Sequence, residues 1–285
     1  MIIDGKKIAE NLRQTLKKQI QQIPSNQVKP GLTVILIGED PASQIYVRNK
    51  EKFANEIGIN SNVLRFDSSI TEEALLQEIH KLNHDKMVHG ILVQLPLPKH
   101  INSKNIISQI DPNKDVDGFH PINVGNLSSG SDALVPCTPN GCYLLLKEVI
   151  SDFTGLNAVI IGRSNINGKP MMQLLLKENC TVTITHSKTK NLQQICQGAD
   201  ILVASVGIAN LVKEDWVKPD CVVIDVGINR VEENGSKKIV GDVDFENLKN
   251  KVKAITPVPG GVGPMTISCL LQNTLKAYRK ILSYK

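Results

Sequence analysis

Ala158-Val-Ile-Ile-Gly162-Arg-Ser-Asn-Ile-Asn-Gly168-Lys-Pro170 has the pattern of a buried strand, a glycine turn and the start of a helix. Glycines in such a turn allow the backbone to approach a pyrophosphate, and the helix amino terminus offers unpaired N–H groups. The strict Gly-x-Gly-x-x-Gly spacing is absent, so an ordinary β-α loop is the alternative. Three further strand-like runs follow, over residues 181–185, 201–205 and 221–226. This repetition favours a doubly wound sheet that binds a nucleotide.

The residues that follow the second strand of this segment indicate which cofactor binds. An NAD site usually has an aspartate or glutamate there, which binds the ribose hydroxyl groups. This chain instead has His186-Ser-Lys-Thr189, and Arg163 lies in the first turn. Cations and hydroxyl groups suit a 2′-phosphate, which a carboxylate would repel. The sequence therefore predicts NADP rather than NAD.

The amino-terminal half also alternates strands and helices. Strand-like runs at residues 32–37, 62–66 and 90–96 are separated by helical patterns, one of which begins near Thr71. This order predicts a parallel sheet with crossover helices. Parallel sheets bind ligands at the carboxyl ends of their strands, and Gln94 lies at such an end.

The predicted fold class is therefore α/β, with two α/β domains and a cleft between them. We expect a substrate-binding and catalytic domain at residues 1–138 and a Rossmann-like NADP-binding domain at residues 139–266. A helix over residues 143–150 would carry the chain into the second domain. A final helical pattern, at about residues 267–285, is expected to pack back on the first domain.

One predicted helix of the first domain carries a lysine on its apolar face. Asp40 supplies a helix cap, and Gly58 can end the helix. The face consists of residues at helical spacing: Tyr46, Lys50, Phe53, Ala54 and Ile57. Lys50 could extend its ammonium group from this face to water. Alternatively, a partly dry cleft could hold the ammonium group for use as an acid or base.

Two loops are further candidates for ligand binding. Asp117, which precedes Gly118, could bind adjacent N–H donors of a heterocycle through both carboxylate oxygens, or could simply form a turn. The segment Pro257–Pro264 contains three glycines and three prolines. Such a rigid loop with few side chains can approach a flat ligand with its backbone.

No metal site is predicted. The segment from Asp111 has acidic and amide residues at alternate positions, but Val116 stands where a calcium loop needs glycine and Ile122 where it needs glutamate. His80 and His84 are four residues apart, but no glutamate follows His80, as it would in a zinc protease. We interpret both histidines as surface residues.

The composition argues against several classes of protein. The net charge of +5 is scattered and aromatic residues make up 4%, which disfavours nucleic-acid binding. No apolar run reaches membrane-spanning length, and the amino terminus lacks the pattern of a signal peptide. The six cysteines have no Cys-x-x-Cys spacing, and several lie in apolar runs. We therefore expect reduced thiols and a cytoplasmic location.

Taken together, these segments resemble the bifunctional methylenetetrahydrofolate dehydrogenase/methenyltetrahydrofolate cyclohydrolase family. The matching stretches follow the family's order along nearly the whole chain: Tyr46–Lys50, Val93–Pro98, Lys114–Phe119, Pro136–Pro139, Gly162–Ser164, Gly168–Pro170, Asp225–Asn229, Gly241–Val243 and Pro257–Thr266. Asn167 departs from the apolar residue expected there. The chain ends where a fused formyl-tetrahydrofolate synthetase domain would begin, so that third activity is not expected.

The resemblance implies roles for the folate-binding residues. Tyr46 would stack on the aminobenzoate ring and orient Lys50, which would assist proton transfer as water adds to the methenyl carbon. Gln94 would form a hydrogen bond with Lys50, and Asp117 would bind the pterin. The catalytic set is thus Lys50, Tyr46, Gln94 and Asp117, and the substrate-binding set adds Leu95, Pro259 and Gly260.

The resemblance likewise implies the cofactor, NADP, and its contacts. Arg163 and Ser187 would bind the 2′-phosphate. The complete cofactor-binding set is Thr138, Gly162, Arg163, Ser164, Ser187, Gly207 and Ile228. The implied substrates are tetrahydrofolate derivatives, and the implied assembly is a homodimer, with neither nucleic acid nor membrane as a partner.

Two other functions remain as alternatives. One is a two-domain NADP dehydrogenase of the shikimate dehydrogenase type, against which the set of Lys50, Gln94 and Asp117 argues. The other is a non-enzymatic module that senses a nucleotide, in which Lys50 would have little purpose. Substitution of Lys50 separates an enzyme from a sensor, because a sensor would keep its function.

Overall fold

The chain folds into two compact units, which we name after one residue of each. The computed structural model describes residues 1–233 and 235–283. The Lys50 unit comprises residues 10–137 and the segment that begins at Ile267, and the Gly162 unit comprises residues 1–9 and 138–266. Within the described residues, no helix combines the length and the apolar character needed to cross a membrane.

The Lys50 unit is built on a three-stranded parallel sheet. Its strands are β1 (Gly31–Ile37), β2 (Asn60–Phe66) and β3 (Gly90–Val93), in the order β2-β1-β3. Its helices are α2 (Pro41–Ile57), α3 (Glu72–His84), α4 (Ser103–Ser108) and α5 (Pro121–Ser128), with most of α1 (Gly5–Gln21) and of α10 (Val262–Ser283). Every residue of the central strand β1 is buried, which explains its uninterrupted apolar sequence. Apolar side chains of β1 and β3 form one core with the buried face of α3.

Helix α2 begins and ends where its capping residues predict. The Asp40 carboxylate accepts a hydrogen bond from the Ser43 backbone N–H at 2.7 Å. Gly58 ends the helix with a φ of 91°, a left-handed conformation that disfavours residues with a Cβ atom. The caps thereby set the stretch of chain on which Tyr46 and Lys50 lie one helical turn apart.

The Gly162 unit is built on a five-stranded parallel sheet. Its strands are β4 (Asn157–Ile161), β5 (Thr181–Thr185), β6 (Ile201–Ala204), β7 (Val222–Asp225) and β10 (Ala254–Ile255), in the order β10-β7-β6-β4-β5. Its helices are α6 (Cys137–Lys147), α7 (Gly168–Lys177), α8 (Leu192–Gln197) and α9 (Phe245–Leu248), with a 3-10 turn at Glu214–Trp216. Strands β8 (Asn229–Glu233) and β9 (Ser236–Val240) form an antiparallel pair. The predicted parallel α/β architecture is confirmed in both units.

The first nine residues differ from the sequence-based domain assignment, because they belong to the Gly162 unit. The backbone N–H of Ile3 donates to Ile255 at 2.9 Å, and Ile255 donates to Met1 at 3.0 Å. The chain start thus pairs with β10, an edge strand whose hydrogen-bonding groups would otherwise lack partners within the sheet. Local periodicity carries no information about pairing between segments so distant in sequence.

Three predicted elements have different ends in the structure. The strand predicted to reach Pro96 ends at Val93, and the helix predicted over residues 143–150 spans Cys137–Lys147. The last helix begins at Val262, and residues 284 and 285 of its predicted range lie outside the described residues. Both helices start earlier than predicted because a proline is tolerated in the first turn, where its missing N–H has no intrahelical partner.

Candidate active site

The fold brings Lys50 and Gln94 together. Helix α2 presents Lys50, and Gln94 directly follows β3, where its backbone N–H donates to Ile35 of β1 at 2.9 Å. The Lys50 ammonium group donates to Gln94 Oε1 at 3.0 Å. Only 7% of Lys50 is exposed, so its ammonium group does not extend into bulk water as a surface lysine's would. A buried ammonium group that donates to a neutral amide is suited to proton transfer.

Tyr46 and Leu95 flank this pair. Tyr46 precedes Lys50 by one turn of α2 and is half-buried, and burial raises the pKa of its phenol. Gln94 donates from Nε2 to the carbonyl of the neighbouring Leu95 at 2.7 Å. This contact orients the Gln94 amide so that its oxygen faces Lys50.

Asp117 lies within electrostatic reach of Lys50. Burial raises the pKa of the Asp117 carboxyl to about 6, and the Lys50 charge opposes this shift. Gly118, the next residue, has a φ of +72°, and a Cβ atom there would lie 2.5 Å from the Leu134 carbonyl oxygen. Asp117 thus occupies a tight turn, but the carboxyl group is also close enough to Lys50 to form one site with it.

The loop that carries Asp117 is held by residues that the sequence analysis did not assign to the site. The buried Asp115 carboxylate accepts hydrogen bonds from the His120 backbone and from Asn123, at 2.8 and 2.9 Å. Asn273 of α10 donates to the carbonyls of Val116 and Val135, both at 2.8 Å. The sequence signal for Asn273 is a polar residue on the apolar face of the last helix, but its partners lie far away in sequence.

The glycines of the turn after β4 lie close to other backbone atoms of the protein. Gly162 has a φ of +118°, and a Cβ atom there would lie 2.3 Å from the Ser205 carbonyl oxygen. A Cβ atom on Gly168 would lie 2.0 Å from the Gly162 carbonyl oxygen. Helix α7 begins at Gly168 with neither a side-chain cap nor an acidic residue in its first turn. The turn therefore offers backbone N–H groups at a helix amino terminus, as a pyrophosphate requires.

The groups expected to bind a 2′-phosphate lie at the same edge of the sheet. Strands β4 and β5 are parallel neighbours, and the Gly162 N–H donates to Thr185 at 3.0 Å. Arg163 follows β4, and Ser187 lies in the turn after β5; both side chains are exposed. Ser164 is also exposed, and its hydroxyl accepts from the Asn167 N–H at 3.1 Å. These residues fit NADP, because cations and hydroxyl groups are available and no carboxylate lies in either turn.

The remaining residues that are predicted to bind the cofactor also belong to the Gly162 unit. Thr138 lines a small cavity with Gly168 and Ser205. Gly207 follows β6 with a φ of +69° and is exposed, with no atom within 4 Å of the position of a Cβ atom. Ile228 follows β7 and is 53% exposed. The three residues thus surround the carboxyl ends of the central strands, where doubly wound sheets bind their ligands.

The proline- and glycine-rich loop also lies in the Gly162 unit. Gly260 has a φ of +107°, and a Cβ atom there would lie 3.3 Å from Cε of Lys6. Gly261 approaches the Pro257 carbonyl oxygen so closely that a Cβ atom would be 2.6 Å from it. Pro259 itself is exposed. Assignment of Pro259 and Gly260 to folate stays a prediction.

No metal centre is found among the described residues, in which no three histidine, cysteine or acidic side chains could hold an ion together. His80 and His84 lie exposed on α3, with their ring centroids 4.3 Å apart. All six cysteines are buried, and none of them forms a disulfide bond.

Comparison with known proteins places both units in one family. The model of the tetrahydrofolate dehydrogenase/cyclohydrolase catalytic domain matches residues 3–117, and that of the NAD(P)-binding domain of the same family matches residues 136–282. The bifunctional protein FolD of Pelagibacter ubique is 60% identical over 281 residues, which cover 98% of this chain and 99% of that protein.

Solved structures agree with this assignment. The bifunctional FolD enzyme of Campylobacter jejuni has a TM-score of 0.95 and 49% identity, with 99% of each chain covered. The FolD enzyme of Trypanosoma brucei, complexed with NADP cofactor and inhibitor, has a TM-score of 0.94 and 36% identity, with 99% of this chain and 98% of that chain covered. The chain described here belongs to the tetrahydrofolate dehydrogenase/cyclohydrolase family.

Proposed function

We propose that this chain catalyses two consecutive reactions of one-carbon metabolism. It oxidises 5,10-methylenetetrahydrofolate to 5,10-methenyltetrahydrofolate with NADP, and it hydrolyses the product to 10-formyltetrahydrofolate. Folate binds to the Lys50 unit and NADP to the Gly162 unit. The observation that carries the proposal is the buried Lys50 ammonium group, bonded to Gln94 at 3.0 Å and within electrostatic reach of Asp117.

In the hydrolytic reaction, Lys50 moves the proton. Water adds to the cationic methenyl carbon, forms a C–O bond and loses one proton, which is released and leaves a neutral adduct. The bond from that carbon to N5 then breaks, and the remaining hydroxyl proton is transferred to N5. Lys50 is buried and can relay these protons without competition from bulk water. Gln94 accepts a hydrogen bond from the ammonium group and thereby sets its position.

The folate is held by the residues around Lys50. Asp117 binds the amino and ring N–H groups of the pterin, because a carboxylate can accept two parallel hydrogen bonds. Tyr46 stacks on the aminobenzoate ring, and its half-buried position on α2 supports this role. Leu95 lines the same site.

In the oxidation, NADP accepts the hydride when it is bound, and the protein provides binding and orientation. Arg163 and Ser187 would bind the 2′-phosphate, and the glycine turn at Gly162 would bind the pyrophosphate. Gly207, Ile228 and Thr138 would contact the remainder of the cofactor. The exposed cation and hydroxyl groups at the ends of β4 and β5 support this arrangement.

The first test is a spectrophotometric assay of the purified protein with methylenetetrahydrofolate and NADP⁺. We expect NADPH to form only when the folate is present, and acid quenching to reveal methenyltetrahydrofolate. Repetition with NAD⁺ should give a lower kcat/KM. In the Arg163→Gln variant, the kcat/KM values with NADP⁺ and with NAD⁺ should differ less than they do in the wild type. If neither cofactor is reduced, the proposed oxidation is wrong.

The chain is further proposed to act as a homodimer in the cytoplasm. The family resemblance suggests the dimer, and six free, buried thiols agree with a reducing compartment. Light scattering on the purified protein tests the assembly, because a monomer at micromolar concentration would contradict it.

A further inference from the structure

Two buried carboxylates of the Gly162 unit have no role in the proposed reactions. Asp242 is fully buried and Asp225 is 2% exposed. The backbone N–H of Asp242 donates to Asp225 Oδ1 at 2.9 Å, so the two residues belong to one network. Buried carboxylates are costly unless hydrogen-bond donors surround them, and backbone N–H groups supply most of the donors here.

The Asp242 carboxylate accepts hydrogen bonds from the loop that follows β6. Its Oδ2 atom accepts from the backbone N–H groups of Val206 and Gly207, at 2.6 and 3.0 Å. Its Oδ1 atom accepts from the backbone of Ile208 and from the side chain of Asn229, both at 2.9 Å. Three consecutive N–H groups thus converge on one carboxylate, as they do in backbone nests that bind anions. These groups are therefore already engaged by the protein itself.

Two glycines allow the carboxylates to approach the backbone. A Cβ atom on Gly227 would lie 2.2 Å from Asp242 Oδ1, and one on Gly241 would lie 1.8 Å from Asp225 Oδ2. The Gly227 N–H also donates to Asp225 Oδ1 at 3.0 Å. The segment between β7 and β8, which contains Ile228, therefore packs closely against the same two carboxylates.

We propose that Asp242 is a positioning residue of the NADP site, which holds Gly207 and Ile228 in the conformation that receives the cofactor. This inference rests on the proposed function, since that function assigns both residues to the cofactor. Gly207 and Ile228 are exposed. Because the N–H groups of residues 206–208 donate to Asp242, this loop does not offer them to a cofactor phosphate.

The test is the Asp242→Asn variant, which keeps the shape but turns an NH₂ group toward backbone donors. NADP⁺ binding is measured by calorimetry, and cyclohydrolase activity is measured on methenyltetrahydrofolate without NADP. We expect the Kd and the KM for NADP⁺ to rise by about tenfold or more, with the cyclohydrolase kcat/KM within about twofold of the wild type. The matched control is Asp244→Asn, which should leave both values unchanged. The Asp244 carboxylate accepts hydrogen bonds from the exposed side chains of Lys213 and Asn247.

Two outcomes would overturn the inference. One is a Kd for NADP⁺ that stays within twofold of the wild type. The other is a parallel loss of both activities together with a lower melting temperature, which would indicate a purely structural role. If Asp242→Asn does not fold, Asn229→Ala is used instead, because it removes one of the four donors to the Asp242 carboxylate. An unchanged Kd for NADP⁺ in that variant would also overturn the inference. Failure of the proposed function would instead be seen in the wild type, as folate-independent or absent NADPH formation.

Discussion

At the scale of single residues, Lys50 and Asp117 have opposite charges and different surroundings. The Lys50 ammonium group donates to an uncharged amide at 3.0 Å. Burial raises the pKa of Asp117 to about 6, despite the nearby positive charge. Each of the two groups gives a prediction.

Replacement of Lys50 by methionine should abolish hydrolysis but not folate binding. The methionine fills the same buried volume without a transferable proton, and loss of general acid–base catalysis typically costs about 100-fold or more in rate. Steady-state hydrolysis of methenyltetrahydrofolate and calorimetric folate binding measure the two effects. Lys52→Met is the control, because Lys52 is exposed and pairs with Glu56 across 3.8 Å. Hydrolysis at the normal rate in Lys50→Met would refute the assigned role.

Folate binding should weaken at acidic pH because of Asp117. The pKa of its carboxyl is about 6 in the free protein, so the acceptor form is present above pH 6 and is lost as the pH falls below it. We expect the Kd for tetrahydrofolate to rise by up to about tenfold per pH unit below that value. Calorimetric titrations between pH 5 and pH 8 measure the change. Asp117→Asn should bind weakly at every pH, and an equal slope in that variant would assign the titration to another group.

At the scale of elements, the glycine turn after β4 and helix α10 each determine where a part of a binding site lies. The turn depends on contact between two backbone segments, and α10 depends on a single amide that bonds to two loops. Both features can be disturbed without a change in any residue that touches a ligand.

The Gly168→Ala substitution should remove NADP binding while hydrolysis continues. The new methyl group would lie 2.0 Å from the Gly162 carbonyl oxygen, so the turn must open. Kd for NADP⁺ should rise by about 100-fold, because the pyrophosphate loses its N–H groups. Gly198→Ala is the matched control, since a methyl group there would lie at an ordinary 3.7 Å from Ile195. Unchanged affinity in Gly168→Ala would show that the turn does not bind the phosphates.

Loss of the Asn273 amide should weaken both the fold and folate binding. Asn273→Ala leaves the buried carbonyls of Val116 and Val135 without this donor, at a cost of about 2–4 kcal/mol in unfolding free energy. The KM for folate should rise as well, because Val116 immediately precedes Asp117. Urea unfolding and steady-state kinetics measure the two effects. Arg279→Ala, at an exposed position of the same helix, should change neither by a comparable amount.

At the scale of the whole molecule, the chain start completes the sheet of the Gly162 unit. Ile3 is 3% exposed, whereas its neighbour Ile2 is 53% exposed. Ile3→Ala should therefore lower the unfolding free energy by about 2–4 kcal/mol, and Ile2→Ala should have little effect. Urea unfolding of the two variants provides the comparison. Equal effects would mean that the strand pairing, rather than the buried side chain, stabilises this segment.

Much of the fold was predictable because its determinants are local. The caps at Asp40 and Gly58, the apolar strand β1 and the glycine turn at Gly162 each act within a few residues. Chain order also predicts parallel sheets, since strands alternate with helices. The same local patterns located the Tyr46–Lys50 helix.

The sequence by itself determined the α/β class, the choice of NADP and the chemical types at the candidate site. Only the tertiary structure decided that Lys50 is buried against Gln94 and that Asn273 forms a hydrogen bond with the loop before Asp117. It alone decided that Asp242 binds the backbone of residues 206–208. It also decided that Ile2 pairs with Ile255 and that residues 1–9 belong to the Gly162 unit. The physical reason is that propensity and periodicity act over a few residues, whereas these hydrogen bonds join groups whose separation along the chain leaves no local pattern.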